Sequence, residues 1–333
     1  MKTYLASWTK TMLFVCSMLM FTACNSSEPM GQGQTEFQIT GAPTDNQNIK
    51  GVFITVSQIK VDGVPVAGFT KQTFDLKSYQ EGNTKLLGTG QLDAKGFDHA
   101  TFVLDTDFDA DGNSPGCYVL TTNGEKFKLR NSGKIEVAVD KSWKVVAGGK
   151  STMVLDFDIR KSIQEVNDPA IRYSFLSDDH LNEAVRMVNK DITGTISGTY
   201  SDPRITDERI VVYAYEKGTF NESSETQPQG ENGILFKNAV ATAEIKSGPY
   251  SRIYTLALLE EGGYELHFAG YQMDAASQRF VFHSLLDART SIGETNTRFI
   301  NVKAGATTSP DTMILHSAKD NKTAENPSVS NGS

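Results

Sequence analysis

The feature that most constrains this chain is a two-residue alternation of apolar and polar side chains that recurs from Phe37 to Lys303. Val52, Ile54 and Val56 would share one face of a strand, with Phe53, Thr55 and Ser57 on the other. Ile135, Val137 and Val139 repeat the pattern, as do Met153, Leu155 and Phe157. Asp62-Gly63 and Asn123-Gly124 supply residue pairs suited to the positive φ angles of hairpin turns. The second half continues with Ile210, Val212 and Ala214, then Ile253 to Leu259, the turn Glu260-Glu261-Gly262-Gly263, and Tyr264, Leu266 and Phe268. Phe280 to Leu286 and Arg298 to Lys303 add two further strands, and Thr219 to Gly233 reads as an exposed polar loop. Strands at this spacing, with turn signals between them, predict an all-β chain of sandwich type. At 333 residues the chain accommodates two domains, predicted over residues 36–189 and 190–317. Ser177 to Asn189 fits either a helix capped by Ser177 or a short strand. No repeat of 20–50 residues is visible, which argues against solenoids and propellers.

Charge narrows the function classes. The net charge is −8, so there is no basic surface of the kind that releases counterions from nucleic-acid phosphates. Three cysteines do not make a disulfide framework.

The N-terminus reads as a targeting segment. Lys2 and Lys10 form a basic region, and Met12 to Ala23 is an apolar run too short to span a bilayer as a helix. It ends in Phe21-Thr22-Ala23-Cys24, which resembles a bacterial lipobox; Cys16 has too short an apolar run before it to compete. The resemblance implies cleavage after residue 23 and diacylation of the Cys24 thiol. Two chains give stable anchoring where one gives marginal binding. Residues 24–35 would then be the lipidated cysteine and a flexible tether, and residues 318–333 a disordered tail. Removing residues 1–23 takes away two lysines and no acid, leaving a net charge of −10. Asn25, where an Asp would retain some lipoproteins at the inner membrane, points to the outer membrane.

Two family resemblances follow from short motifs. Thr40-Gly41-Ala42-Pro43, Val52 to Val56, Gly82 with Leu86-Leu87-Gly88, and above all Leu155-Asp156-Phe157-Asp158-Ile159-Arg160-Lys161-Ser162-Ile163 resemble the DUF4382 family of bacterial lipoprotein domains. Gly41 stands where that family usually has an acid, and Asp105 to Gly116 looks like an insertion. Gly194 to Thr199, Val211 to Tyr215, and Tyr254 to Leu258 running into Gly263 to Leu266 are similar to carboxypeptidase-regulatory-like, transthyretin-type sandwiches. The resemblances imply location, fold and a structural or binding role, and they carry no catalytic residues.

The candidate chemistry is sparse. Asp105, Asp107, Asp109, Asp111 and Asn113 place hard oxygens at alternate positions before a turn, as in the front half of a calcium loop. Position 12 counted from Asp107 is Tyr118 where the bidentate Glu should stand, so calcium binding is expected to be weak, and an acidic hairpin loop is the simpler account. Asp156 and Asp158 lie roughly 6–7 Å apart along a strand, within reach of a retaining-glycosidase pair; ion pairing with Arg160 and Lys161 is the simpler account. His99, His180, His267, His283 and His316 show no metal-binding spacing, though His267 and His283 could be neighbours across a hairpin. Cys117 has no basic partner nearby and reads as an inert, half-buried thiol. Trp143 is the one Trp left after leader removal, which weakens a Trp platform for sugars. Tyr213, Tyr215, Tyr254, Tyr264 and Tyr271 read as half-buried strand residues, some of which could form a ligand strip.

The expectation is a lipid-anchored envelope protein without enzymatic activity or cofactor. It would bind a glycan, peptide or envelope protein and no nucleic acid. The alternative is a spacer or subunit of an envelope complex, and a remote third is a hydrolase using Asp156 and Asp158.

Overall fold

A computed structural model describes residues 31–315, apart from 45, 130–132, 169, 204–206 and 248–251. Cys24, His316 and the expected tail lie outside the described residues.

The chain is all-β and multi-sandwich. The N-terminal half contains β1 (Gln32–Gly41), β2 (Ile49–Val61), β3 (Val64–Pro65), β4 (Gln72–Asp75), β5 (Lys85–Asp93), β6 (Gly96–Asp105) and β7 (Tyr118–Thr121). It continues with β8 (Lys126–Lys128), β9 (Lys134–Lys144), β10 (Lys150–Phe157), β11 (Ile163–Glu165), β12 (Tyr173–Phe175) and β13 (Val185–Asn189). One sheet runs β13-β10-β1-β5, with β1 and β10 parallel; a second runs β8-β7-β2-β6-β9, with β3 and β4 also on β2. Phe37, Ile39, Leu155 and Phe157 from the first sheet meet Val52, Ile54, Phe102 and Val137 from the second in one buried cluster. These are the alternating residues of the sequence, because a strand sends every second side chain to the same face.

Two short helices interrupt the strands. Helix α1 (Ile159–Ser162) begins where Asp158 accepts a hydrogen bond from the Arg160 N–H, a side-chain cap that ends β10. Ser177 to Asn189 contains both of the structures it could have been: α2 (Asp178–Glu183), then β13.

The C-terminal half contains β14 (Thr193–Ser201), β15 (Arg209–Glu216), the short helix α3 (Glu222–Glu225), β16 (Ala241–Glu244), β17 (Lys246–Ser247), β18 (Arg252–Glu260) and β19 (Gly262–Asp274). It ends with β20 (Arg279–Leu286), β21 (Ala288–Ile292), β22 (Thr295–Asn296), β23 (Ile300–Val302), β24 (Thr307–Thr308) and β25 (Asp311–Ile314). One sheet runs β17-β18-β14-β25-β21-β22; the other runs β16-β15-β19-β20, with β23 also on β19. Ile196, Tyr254 and Leu256 pack against Val212, Ala214 and Phe268 between them.

Within the β16-β15-β19-β20 sheet, β15 is buried on both faces. Val211, Tyr213, Tyr215 and Tyr271 form a second apolar layer on the outer side of the sheet, and Phe236 covers them, stacked on Tyr213 at 4.1 Å between ring centroids. This corrects two expectations. Thr219 to Gly233 is not simply an exposed loop, because Glu225 within it is 1% exposed. The five tyrosines are buried rather than half-buried and form no exposed strip. The signal was present in Ile210 to Tyr215, an unbroken apolar run of the kind that marks a strand covered on both faces.

The halves meet over a substantial contact. Val154 and Val188, on the outer face of the first sheet, pack on Leu258 and Ala257 of β18. Leu258 has φ of 58°, close to a register shift between β14 and β18. Its carbonyl accepts a hydrogen bond from Arg186 Nη1 at 3.1 Å.

Candidate functional site

The sequence-derived candidates separate once placed in the fold. In the acidic loop, Asp105 Oδ1 accepts from the N–H groups of Asp107 and Phe108, and Oδ2 meets Lys71 Nζ at 2.9 Å. Asp107 pairs with Lys128 at 2.5 Å and accepts from the Gly133 N–H. Asp109 accepts from the N–H groups of Asp111 and Asn113. Burial raises the Asp105 carboxyl, but the Lys71 ammonium and the two N–H groups outweigh it and leave it below its ordinary range. These carboxylates hold turns and ammonium groups, and among the described residues no three His, Cys, Asp or Glu are grouped to hold a metal.

Asp156 and Asp158 line one cavity of about 410 Å³ between the halves. Asp158 pairs with Arg160 at 2.9 Å and Lys161 at 3.6 Å, as the sequence suggested. Asp156 does not share these partners; it pairs with Arg186 of β13, at 2.7 Å. The antiparallel register sets Arg186 directly opposite Asp156, an arrangement invisible along the chain. Burial raises the Asp158 carboxyl, and the Arg160 and Lys161 charges more than reverse this, holding it below the usual carboxylate range. A general acid needs the opposite perturbation.

The histidines are dispersed. His99 faces Asp140 at 2.7 Å, His180 faces Glu231 at 3.4 Å, and His283 faces Asp207 at 2.9 Å. His267 lies opposite Tyr213, beside the buried Glu265, and stacks on Phe220. His267 and His283 are not neighbours: the β19–β20 ladder pairs Phe268 with Leu286, and its register shift leaves His283 near Gly270 and Tyr271.

Cys117 is fully buried rather than half-buried. Its Sγ accepts from the Thr55 N–H and donates to the Asp105 carbonyl, both at 3.4 Å. Burial pushes the thiol up to about 12, so only ~10⁻⁴ of it is thiolate at pH 8. We expect no carbamidomethylation of Cys117 by iodoacetamide in the native protein and complete modification in 6 M guanidinium, read by mass spectrometry. Modification of the native protein within minutes would show that the thiol is accessible.

The feature that sequence reasoning missed is a cleft of about 610 Å³ where the two halves meet. Its floor is the outer face of the second-half sheet, with Val211, Tyr213 and Tyr271; Arg160 and Tyr173 come from the first half, and Phe280 to Phe282 form a rim. The Arg160 guanidinium lies 5.3 Å from the Tyr213 ring centroid, and the Tyr213 and Tyr271 hydroxyls are 2.5 Å apart. Arg209 reaches across to the Thr44 carbonyl at 3.0 Å and to Glu244 at 3.1 Å, over the Phe280 ring. The side chains of Arg160 and Arg209 are 9% and 5% exposed, and each has a buried Nε–H without an acceptor. An unmet buried donor costs about 1–3 kcal/mol. Asn46 bridges to Arg279 across the same junction. Cavities of this size at domain junctions, with a few polar groups among aromatic side chains, are the usual form of a ligand site.

Residues 32–175 match the family described as Domain of unknown function (DUF4382). The match runs from β1 to the end of β12 and includes Asp158 and Arg160. The DUF4382 match therefore covers β10 and α1, which contact the second half, while α2 and β13, which also contact it, lie beyond the match. No curated protein matches the chain. Solved structures similar to it include the minor pilin GBS52 of Streptococcus agalactiae, at 11% identity over 88% of this chain and 99% of that one, with a TM-score of 0.20. The shaft pilin SpaA of Lactobacillus rhamnosus GG is similar at 8% identity over 86% and 99%, with a TM-score of 0.19.

Proposed function

We propose that this protein is a non-catalytic binding or adhesion module, held on the bacterial envelope by lipid on Cys24 and taking its ligand in the cleft between its two halves. The cleft carries this reading: both halves contribute to one cavity of about 610 Å³, inside the ~300–1,000 Å³ range of ligand sites. The C-terminal half serves in this reading as a transthyretin-type sandwich that completes the site. Asp156 and Asp158, both engaged with basic side chains, hold the junction and perform no hydrolysis.

The reading is tested by binding of the full chain to a glycan panel and to envelope extract. Ser277 is exposed and lines the cleft, so Ser277→Trp should obstruct it without disturbing a core. Binding should fall at least tenfold in the variant. Unchanged binding would place the ligand elsewhere, and no binding by the native chain would favour the spacer role. Anchoring has its own test. Cys24→Ser should abolish labelling by a palmitate analogue and move the protein to the soluble fraction; retention of the variant in salt-washed membranes would contradict the anchor.

A further inference from the structure

We propose that the end of the first sandwich from which the chain leads back to Cys24 rests on the lipid surface that holds the protein, with Val64 and Val146 entering the membrane interface. This rests on the reading of Cys24 as the lipid anchor, and it fixes which way the cleft is held.

The first observation is where the chain enters the fold. The Gly31 carbonyl accepts from the Ala94 N–H at 2.7 Å, and a Cβ added to Gly31 would stand 2.8 Å from the Ala147 Cβ. The Gln32 carbonyl accepts from the Gly148 N–H at 2.8 Å. Gly31 is thus seated beside the hairpin that joins β9 to β10. Seven residue steps separate Cys24 from Gly31, at most about 25 Å of fully extended chain. The ten residues of β1 span about 30 Å, so Cys24 cannot be brought round to the far end of that strand. β1 and β10 run parallel from the Gly31 end towards Gly41 and Phe157. Pro43, Thr44, Ile159 and Arg160, just past those ends, line the cleft. The anchor and the cleft therefore belong to opposite ends of the first sandwich.

The second observation is what the anchor end exposes. Val64 and Val146 are 67% and 61% exposed, the highest values among the large apolar side chains of the described residues. Such side chains are ordinary when scattered singly, but these two share the end where Gly31 sits. Val146 is in the hairpin beside Gly31, and Val64 follows the turn Asp62-Gly63 at the end of β2. Lys95 joins the two turns: its carbonyl accepts from the Val145 N–H at 3.0 Å, and its Nζ lies 3.8 Å from Asp62. Ala147 and Pro65, next to the valines, are exposed as well. The exposed Lys95, Lys144 and Lys150 at this end are matched by the exposed Asp62, Asp93 and Asp98, so the contact is apolar and needs no charged lipid. A weak contact suffices, because a lipid on Cys24 makes it intramolecular and raises its effective concentration.

The experiment places the full lipidated chain in phosphatidylcholine vesicles, some of whose lipids carry a nitroxide quencher high in the acyl chain. A fluorophore is attached to a single new cysteine in Val64→Cys, Val146→Cys or Val281→Cys; Cys117 is too buried to compete for it. Labels at positions 64 and 146 should be quenched at least twofold, while the label at 281, on the cleft rim, keeps its full intensity. Val146→Asp added to Val64→Cys should relieve the quenching at 64, with the protein still in the vesicle fraction through Cys24. Equal quenching at all positions, or none in chains that sediment with the vesicles, would overturn the proposal and leave the anchor standing. Quenching that appears only with anionic phospholipid would overturn the apolar contact. Chains that take up no palmitate analogue and do not sediment would remove the anchor reading itself, and the proposal with it.

Discussion

Replacing Asp158 with alanine is expected to destabilise the protein by about 3–5 kcal/mol, the usual cost of leaving one member of a buried ion pair behind. Arg160 would remain under the second half with its guanidinium 5.3 Å from the Tyr213 ring and no carboxylate beside it. The cap on the Arg160 N–H would go at the same time. Asp158→Leu combined with Arg160→Met should recover part of the loss, since it also removes the guanidinium left unpaired, while Lys161 keeps its bond to the Ala239 carbonyl but loses the carboxylate. Urea unfolding at pH 7 reads all three proteins; a loss under 1 kcal/mol for Asp158→Ala would mean that the pair contributes little. The pH dependence has a definite sign. The folded carboxyl lies below its ordinary value, so the unfolded chain binds the proton more readily. Its stabilisation is therefore full above about pH 5 and is lost as the pH falls through the ordinary carboxylate value towards the lowered one. Asp158→Asn should flatten that part of the acid-unfolding curve.

Glu225→Ala is expected to open the cover over the outer face of the second-half sheet and to cost about 1–3 kcal/mol, the cost of leaving the buried Tyr215 hydroxyl without its acceptor. Glu225 accepts from the Tyr215 hydroxyl at 2.7 Å, from the Asn238 N–H at 3.1 Å and from Asn238 Nδ2 at 2.5 Å. The Phe236 N–H bonds to the Glu225 carbonyl, so one residue ties both ends of this cover together. Burial raises the carboxyl, but the Tyr215 and Asn238 donors reverse this and keep it below its ordinary value. Its contribution is therefore also present above the ordinary carboxylate pKa and lost in acid. Glu225→Gln keeps one acceptor oxygen and should lose less than Glu225→Ala. Hydrogen exchange at Phe236 to Val240 measures the opening, and unchanged protection in Glu225→Ala would show that apolar packing alone holds the cover.

Much of the fold is local and was therefore legible. The alternation of Val52, Ile54 and Val56 is a property of one strand, and Asp62-Gly63 turns the chain with φ of 46° and 79°, as its residue types allow. Asn123-Gly124 also marks a real turn, though β7 stops at Thr121 and the connection is longer than two residues. The Asp158 pairing with Arg160 and Lys161 was readable because the partners stand two and three residues away.

What the sequence by itself determined is the strand pattern, the net acidic charge, the pairing of Asp158 and the motifs of the first domain. Only the tertiary structure decided which partners meet across long separations. Asp156 finds Arg186, 30 residues on, because two strands pair in one register. Arg209 reaches Thr44, 165 residues away, because the two halves dock. The cleft is a product of that docking. No periodicity within one segment encodes it, because it depends on which surface of one sandwich is covered by the other.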